Sequence, residues 1–228
     1  MSEAYHLSEW ASKKDGPYVP ALLCPLEMKD NAVFLDLGCG SGYVNRFVGS
    51  HLAPMENIGM DYDAATIELA QRLNAGTGAV KWMCASAESV PLPDASVDYI
   101  VCRGVVPLAH VDTVFGEIGR ILRPGGKVVL LLHSWTFYLK WLSMRDLKRD
   151  VLAIFHCLVG MWFNLTGLQI QLRWGNHVVG QTWQTEGRVR QMLGRRGIRL
   201  YRVASTPEFL VYAQKDVAFP RSMPDAVS

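Results

Sequence analysis

Short apolar runs alternate with helix-length stretches along most of this 228-residue chain. Val33-Phe34-Leu35-Asp36-Leu37 reads as a buried strand stopped by Gly38, and residues 43–52 as the helix that follows. Asn57 to Asp61 is a second strand, ending on an acid. Asp63 can cap a helix over 64–74, whose apolar positions Ile67, Leu69, Ala70 and Leu73 recur at helical spacing. Val80 to Cys84 and Val97 to Cys102 suit a third and a fourth strand. Thr113 to Leu122 reads as a helix halted by Pro124 and Gly125. Lys127 to His133 is a fifth strand, nearly all aliphatic, as a strand covered on both faces should be.

The alternation breaks after His133. Residues 136–175 are rich in Leu, Trp, Phe and Met, and the pattern resumes with a helix over 184–196 and strands over 198–203 and 208–214. Strands separated by crossover helices build a parallel sheet with helices on both faces. The predicted fold class is therefore α/β: a Rossmann-like, doubly wound, mostly parallel seven-stranded sheet with a helical insert after the fifth strand. The organisation expected is an N-terminal arm or cap (1–30), a core (31–135), an insert acting as lid or dimer contact (136–180), a C-terminal helix and strands completing the sheet (181–217), and a loose tail (218–228).

Composition narrows the function classes. Half the residues are hydrophobic, 19% are charged, and the formal net charge is +2, too small to argue for nucleic acid. Between residues 136 and 200, however, ten Lys or Arg face three Asp or Glu. The five cysteines are scattered, with no Cys-x-x-Cys pair and no Cys/His cluster, so no metal and no disulfide framework is expected. No basic stretch followed by an apolar one opens the chain, which points to a cytoplasmic protein. Val151 to Leu172 carries no charged side chain. By length this approaches a membrane span, but Asn164, Thr166, Gln169 and Gln171 weaken that reading, and a span would part the last strands from the rest of the sheet. A lid, a homodimer contact, an interfacial helix giving peripheral membrane contact through 151–172, and plain core packing all stay open.

The chemistry concentrates at Asp36-Leu37-Gly38-Cys39-Gly40-Ser41-Gly42, between the first strand and the first helix. Glycines there allow a tight turn and a close backbone approach, and the helix N-terminus offers free N–H donors. The spacing is G-x-G-x-G, with Tyr43 where a dinucleotide fingerprint requires its third glycine, which argues against a nicotinamide oxidoreductase. Asp61 ends the second strand where a carboxylate can accept from ribose hydroxyls. Asp36 lies inside an apolar strand, where an acid is costly to bury without a donor.

Val33-Phe-Leu-Asp-Leu-Gly-Cys-Gly-Ser-Gly42, Gly59-Met-Asp-Tyr-Asp63, Leu122-Arg-Pro-Gly-Gly126 and the stretch Ala85 to Asp98 together resemble motifs of class I S-adenosylmethionine-dependent methyltransferases. The branch resembled includes quinone-biosynthesis and small-molecule enzymes. The resemblance implies S-adenosylmethionine as cofactor, with Gly38, Gly40 and Gly42 along its methionine part and Asp36 near its ammonium. Asp61 would hold the ribose hydroxyls, Tyr62 would lie against the adenine, and Ala87 and Glu88 would border the adenine edge. The family usually has Asp where this chain has Ser86, so a hydroxyl would make a weaker contact to the adenine amine. Cys102, Arg103 and Gly104 would pass beneath the sulfonium, Arg103 pairing with the cofactor carboxylate or with an acid nearby.

The reading that follows is a methyltransferase acting by direct in-line transfer on a small, hydrophobic or amphiphilic acceptor. His133, at the carboxyl edge of the fifth strand, is the candidate base, and Tyr18, His133 and Trp135 are the candidate acceptor contacts. His133 as a residue that only ends the strand is an equal alternative; His110 and His156 read as structural. No Asn/Asp-Pro-Pro-aromatic run follows the fourth strand, and no aromatic-basic platform is evident, so a nucleic-acid acceptor is not expected. Two alternatives stand beside this: a non-catalytic, methyltransferase-like binding subunit, and the nicotinamide oxidoreductase already disfavoured by Tyr43.

Overall fold

The computed structural model describes residues 2–139, 147–170, 172–174, 177–179, 181–205 and 209–217. Two helices come first, α1 (Glu3–Lys13) and α2 (Tyr18–Leu23). Ser2 caps α1 by accepting from the Tyr5 amide, and Glu3 and Lys13 sit at the helix ends their charges favour. There follow β1 (Val33–Leu37), α3 (Tyr43–His51), β2 (Glu56–Asp61), α4 (Ala64–Leu73), β3 (Lys81–Cys84), β4 (Val97–Arg103), α5 (Val111–Ile121) and β5 (Leu122–Leu132). The insert supplies α6 (Trp135–Leu139), α7 (Leu147–Thr166) and a hairpin of β6 (Leu172–Trp174) and β7 (His177–Val179). The chain returns through α8 (Glu186–Gly194), β8 (Ile198–Ala204) and β9 (Phe209–Lys215).

Seven strands form one sheet in the order β3-β2-β1-β4-β5-β9-β8. The first five are parallel, and β9 runs antiparallel between β5 and β8. This is the doubly wound, mostly parallel architecture expected, with the strand order reversing between β1 and β4. Ligands of open α/β sheets bind outside the carboxyl ends of the strands at such a point. Every residue of β1 is buried because alternate side chains enter two cores. Leu35 and Leu37 join Ile58, Ile100, Leu130 and the α5 residues Val114, Phe115 and Ile118 on one face. Phe34 joins Val44, Val48, Val101 and Val129 on the other, under Val19, Leu22 and Leu23 of α2.

Beyond shifts of a residue or two, the structure departs from the sequence reading in three places. Helix α5 starts at Val111, because extended His110 already serves as its N-cap. Strand β5 starts at Leu122, which pairs with Val97. The ladder then shifts and resumes at Tyr99–Lys127, with Gly125 at φ 81° in the intervening excursion. The Pro-Gly pair thus interrupts the strand's register instead of preceding the strand. The insert is not purely helical, since the β6–β7 hairpin follows α7. The tail 218–228 and residues 140–146, 171, 175, 176 and 180 of the insert lie outside the described residues.

The insert is fastened by its inner face. Trp183 donates from its indole to the Cys157 carbonyl (3.0 Å) and lies so close to Gly160 that a Cβ there would come within 2.1 Å of the ring. Asn164 donates to the Gly160 and Trp183 carbonyls and accepts from the Thr185 amide. Among the described residues no helix is long and apolar enough to cross a membrane.

Candidate functional site

The loop between β1 and α3 is shaped by glycine geometry. Gly38, Gly40 and Gly42 take φ values of +79°, +54° and +74°, a region that L side chains rarely enter. The Gly38 and Cys39 amides both donate to the Met60 carbonyl, at 2.7 and 2.9 Å, drawing the loop onto β2. A Cβ on Gly38 would stand 2.1 Å from Val105 Cγ2, and one on Gly42 2.4 Å from the Trp82 ring. The chain's own side chains therefore demand these glycines before any ligand does. Gly40 is different: a Cβ there would meet the imidazole of His6, at 3.3 Å from Nδ1. Helix α1 reaches over the loop.

Two carboxylates flank it. Asp61, at the end of β2, accepts from the Gly40 amide (3.1 Å) and the Asp63 amide (3.2 Å), one bond on each oxygen. Each oxygen keeps a second lone pair for a diol. Asp63 is the N-cap of α4, accepting from the Thr66 amide, so Asp61 is free of that duty. Asp36 is fully buried, and neither of its oxygens has a hydrogen-bond partner among the described residues. Burial pushes its carboxyl up to about 6, against the pull of the Arg103 guanidinium and with the help of Asp61 and Glu9. Bare buried carboxylates are expensive, and a cationic ligand group is the compensation that would explain this one.

Arg103, at the end of β4, is held by α1 and α3. Its guanidinium lies 4.5 Å from the Tyr43 ring centroid, donates to the Tyr43 hydroxyl, and stands 3.8 Å from Glu9. Tyr43 in turn donates to Glu9 (3.3 Å), which also takes Lys13 at 3.0 Å. Lys13 lies 4.4 Å from the Tyr18 ring centroid, and Tyr18 meets Tyr43 edge-on at 6.4 Å. His6, Glu9, Lys13 and Tyr43 are the residues that sequence reasoning missed. The acid near Arg103, left open between two partners, is Glu9.

Four buried polar groups around the loop lack a partner among the described residues: the Asp36 carboxylate, His6 Nδ1, Ser41 Oγ and Arg103 Nε. An acceptor for an ammonium stands among donors suited to a carboxylate, the pairing that an α-amino acid end requires. Tyr62 is 75% exposed, leaving a ring face for a flat ligand beside Asp61. Ser86 accepts from the Glu88 amide (3.1 Å), and Glu88 accepts from the His110 amide (2.9 Å), so both side chains are engaged in the turn. Ala87 packs into the core. Cys102 does too, its thiol pushed up to about 12 by burial, so only its backbone borders the loop. A Cβ on Gly104 would meet nothing within 4 Å; the end of β4 opens on free space.

His133 belongs to a second group. It stacks on Phe137 at 3.9 Å, and its Nδ1 lies 3.0 Å from the Tyr138 hydroxyl. With Tyr138 donating to Gln181 Oε1 (3.2 Å), its oxygen is placed to accept from the Nδ1–H tautomer of His133. That leaves Nε2 as the ring's lone pair. Burial, and then His156, hold the imidazole down at about 4, so it is neutral near pH 7. The Gln184 amide donates to the His133 carbonyl (3.0 Å), tying the segment before α8 to the end of β5. Trp135 is 53% exposed, and Tyr18 lies with the Arg103 group, so the three proposed acceptor contacts are not one cluster. His110 is bound to Thr113 and His156 is buried in α7 against Tyr138. Among the described residues no group of His, Cys, Asp and Glu is placed to hold a metal ion.

Comparison with known proteins agrees with this geometry. Residues 35–130 match the family model described as a methyltransferase domain. The chain is 35% identical over 86 residues to the mitochondrial 2-methoxy-6-polyprenyl-1,4-benzoquinol methylase of Drosophila melanogaster, covering 36% of this chain and 29% of that protein. It is 32% identical over 110 residues to the malonyl-[acyl-carrier protein] O-methyltransferase of a Marinomonas species, covering 47% and 40%. The chain thus spans less than half the length of these curated relatives. Among solved structures, an S-adenosylmethionine-dependent methyltransferase from Mesorhizobium loti superposes with a TM-score of 0.64 at 20% identity, covering 88% of this chain and 99% of that one. Residues 35–130 match a methyltransferase domain, and over that stretch the chain is similar to S-adenosylmethionine-dependent methyltransferases, quinone-biosynthesis enzymes among them.

Proposed function

We propose that this chain transfers a methyl group from S-adenosylmethionine directly to a small, hydrophobic or amphiphilic acceptor, with His133 as the base. The observation that carries the reading is Asp36: a buried, unpartnered carboxylate beside a glycine loop, within the field of the Arg103 guanidinium, while His6 and Ser41 hold further unpartnered polar atoms. Asp36 would take the cofactor's ammonium, Arg103 and His6 its carboxylate, and Asp61 its ribose hydroxyls, with Tyr62 against the adenine. S-adenosylmethionine supplies an electrophilic methyl carbon when bound, so the protein need not create one. Its work is to orient the acceptor and exclude water.

Helix α1 and the insert serve that purpose from two sides. His6 and Glu9 cover the loop, and α6 and α7 stand over the end of β5. His133 is neutral near pH 7, and Tyr138 with Gln181 directs its proton to Nδ1, so Nε2 can take a proton from an acceptor hydroxyl or activated carbon. A base with so low a pKa works best on an acceptor that is already acidic, such as a phenol or quinol. The names of two relatives, a 2-methoxy-6-polyprenyl-1,4-benzoquinol methylase and a malonyl-[acyl-carrier protein] O-methyltransferase, include a quinol acceptor.

The test is product formation. Purified protein is given S-adenosylmethionine and a panel of phenols, quinols, carboxylic acids and amines, and methylated products are read by mass. Turnover of an acidic, apolar member that falls with His133→Ala supports the reading. Cofactor binding without turnover of any member would favour the non-catalytic subunit instead.

A further inference from the structure

We propose that the outer face of α7 is a docking surface for an anionic lipid bilayer. Val151, Ile154, Leu158, Met161 and Leu165 recur at intervals of three and four residues, with Trp162 beside them, and all six are between 45% and 76% exposed. They form one continuous stripe about 21 Å long. The opposite face, Ala153, His156, Val159 and Phe163, is buried against the rest of the protein. The helix is therefore already packed on its inner side, and its solvent face is apolar without a single charge from Val151 to Thr166. Scattered exposed apolar residues are ordinary; a contiguous row of six is a contact surface.

Charge identifies the occupant. No Asp or Glu occurs between Asp150 and Glu186, and the first turn of α7 carries Lys148 and Arg149 beside Asp150, a surplus of one cation. At the other end Arg188 of α8 binds the Asn164 carbonyl and Gln191, and no carboxylate among the described residues neutralises it. An apolar row with cations at both ends suits a surface that is apolar within and anionic at its boundary. Trp162 adds a ring suited to that boundary.

A second copy of the chain suits the row less well. Six half-exposed side chains offer on the order of 500 Å² per copy, short of the roughly 800 Å² per partner of a standard interface. The three-four spacing lasts only two heptads, and the positions flanking it carry no charge pairs to fix a helix partner, where coiled coils sustain about three or four heptads. The surface also has a use: His156 on the buried face lies 5.2 Å from Tyr138, so a docked bilayer would stand one helix diameter from the His133 group. The docking claim does not depend on the acceptor reading.

Flotation tests it. The full chain is mixed with vesicles of phosphatidylcholine alone, or of phosphatidylcholine with phosphatidylglycerol, and floated on a density gradient. The expected result is flotation with the anionic vesicles, reduced by salt and weakened by about tenfold or more in the Leu158→Glu/Leu165→Glu variant. That variant should keep the thermal shift caused by S-adenosylhomocysteine, which separates failure of docking from failure of the cofactor site. Quenching of Trp162 by brominated lipid, lost in Trp162→Phe, is the second readout if the double variant does not fold. No flotation of the wild type, or equal flotation of the variant, overturns the proposal. So does a dimer in solution that the variant dissociates while vesicles capture neither protein.

Discussion

The guanidinium of Arg103 rests 4.5 Å from the ring centroid of Tyr43, with the Tyr43 hydroxyl as its hydrogen-bond acceptor. This contact joins the end of β4 to the start of α3 and sets a buried cation beside Asp36. It also accounts for Tyr43 at a position where a dinucleotide loop would have glycine. The ring is a seat for Arg103, and Glu9 of α1 closes the set.

Arg103→Met should therefore do two things. It removes the main cation opposing the rise of the Asp36 carboxyl, and it leaves Glu9 without that partner. Loss of one member of a buried charged set costs about 3 kcal/mol or more, read by urea unfolding. Affinity for S-adenosylhomocysteine should fall with it, whereas Arg103→Lys should recover part of the stability and little of the stacking geometry.

Asp36 gives a pH signature. Its folded pKa of about 6 lies above the ordinary 3.8, so the folded protein binds the extra proton. The stability this contributes is present below about pH 4 and is lost as pH rises through about 6. An ammonium ligand prefers the ionised carboxylate, so cofactor affinity should rise over the same interval. Asp36→Asn should flatten both dependences: the cofactor-free variant melts no lower than wild type near neutral pH, yet its affinity is at least about tenfold weaker. Thermal melts and calorimetry across pH check both.

His133 titrates in the opposite sense. Its pKa, held down at about 4, is below the ordinary 6.5, so the stability tied to its neutral form is present above about pH 6.5 and declines as pH falls towards 4. Tyr138→Phe removes the hydroxyl that fixes the tautomer. With an accepted acceptor in hand, kcat should drop by roughly tenfold while KM changes little, because the ring remains and only its protonated nitrogen is no longer specified. A purely structural role for Tyr138 would lower stability and leave the pH profile of kcat unmoved.

Gly38→Ala should destabilise the fold by about 3 kcal/mol or more, since a left-handed backbone and a 2.1 Å approach to Val105 act together. Val105→Ala in the same chain should relieve the clash and leave only the backbone penalty of about 1–2 kcal/mol. Denaturant midpoints of the single and double variants measure the coupling.

The strands were legible because each is a continuous apolar run buried on both faces; β1 lies where the run Val33–Leu37 places it. The glycine loop and Asp61 were legible because local geometry imposes them. Helix α1 was not: its role rests on pairings such as Glu9 with Tyr43 and Arg103, 34 and more residues away, which no periodicity reveals. The start of β5 at Leu122 was hidden by Pro124 and Gly125, which read as terminators and serve as a register shift. In the insert, the run Val151–Leu172 showed hydrophobicity without showing which side faces water. Its most apolar row is the exposed one.

The central claim is that Asp36 and Asp61 make the glycine loop a seat for an adenosyl amino acid. Titration calorimetry of the folded chain with S-adenosylhomocysteine tests it most directly. The account predicts saturable heat for the wild type and its loss in both Asp36→Asn and Asp61→Ala. Heat that survives both substitutions, or no heat from a folded wild type, would contradict it.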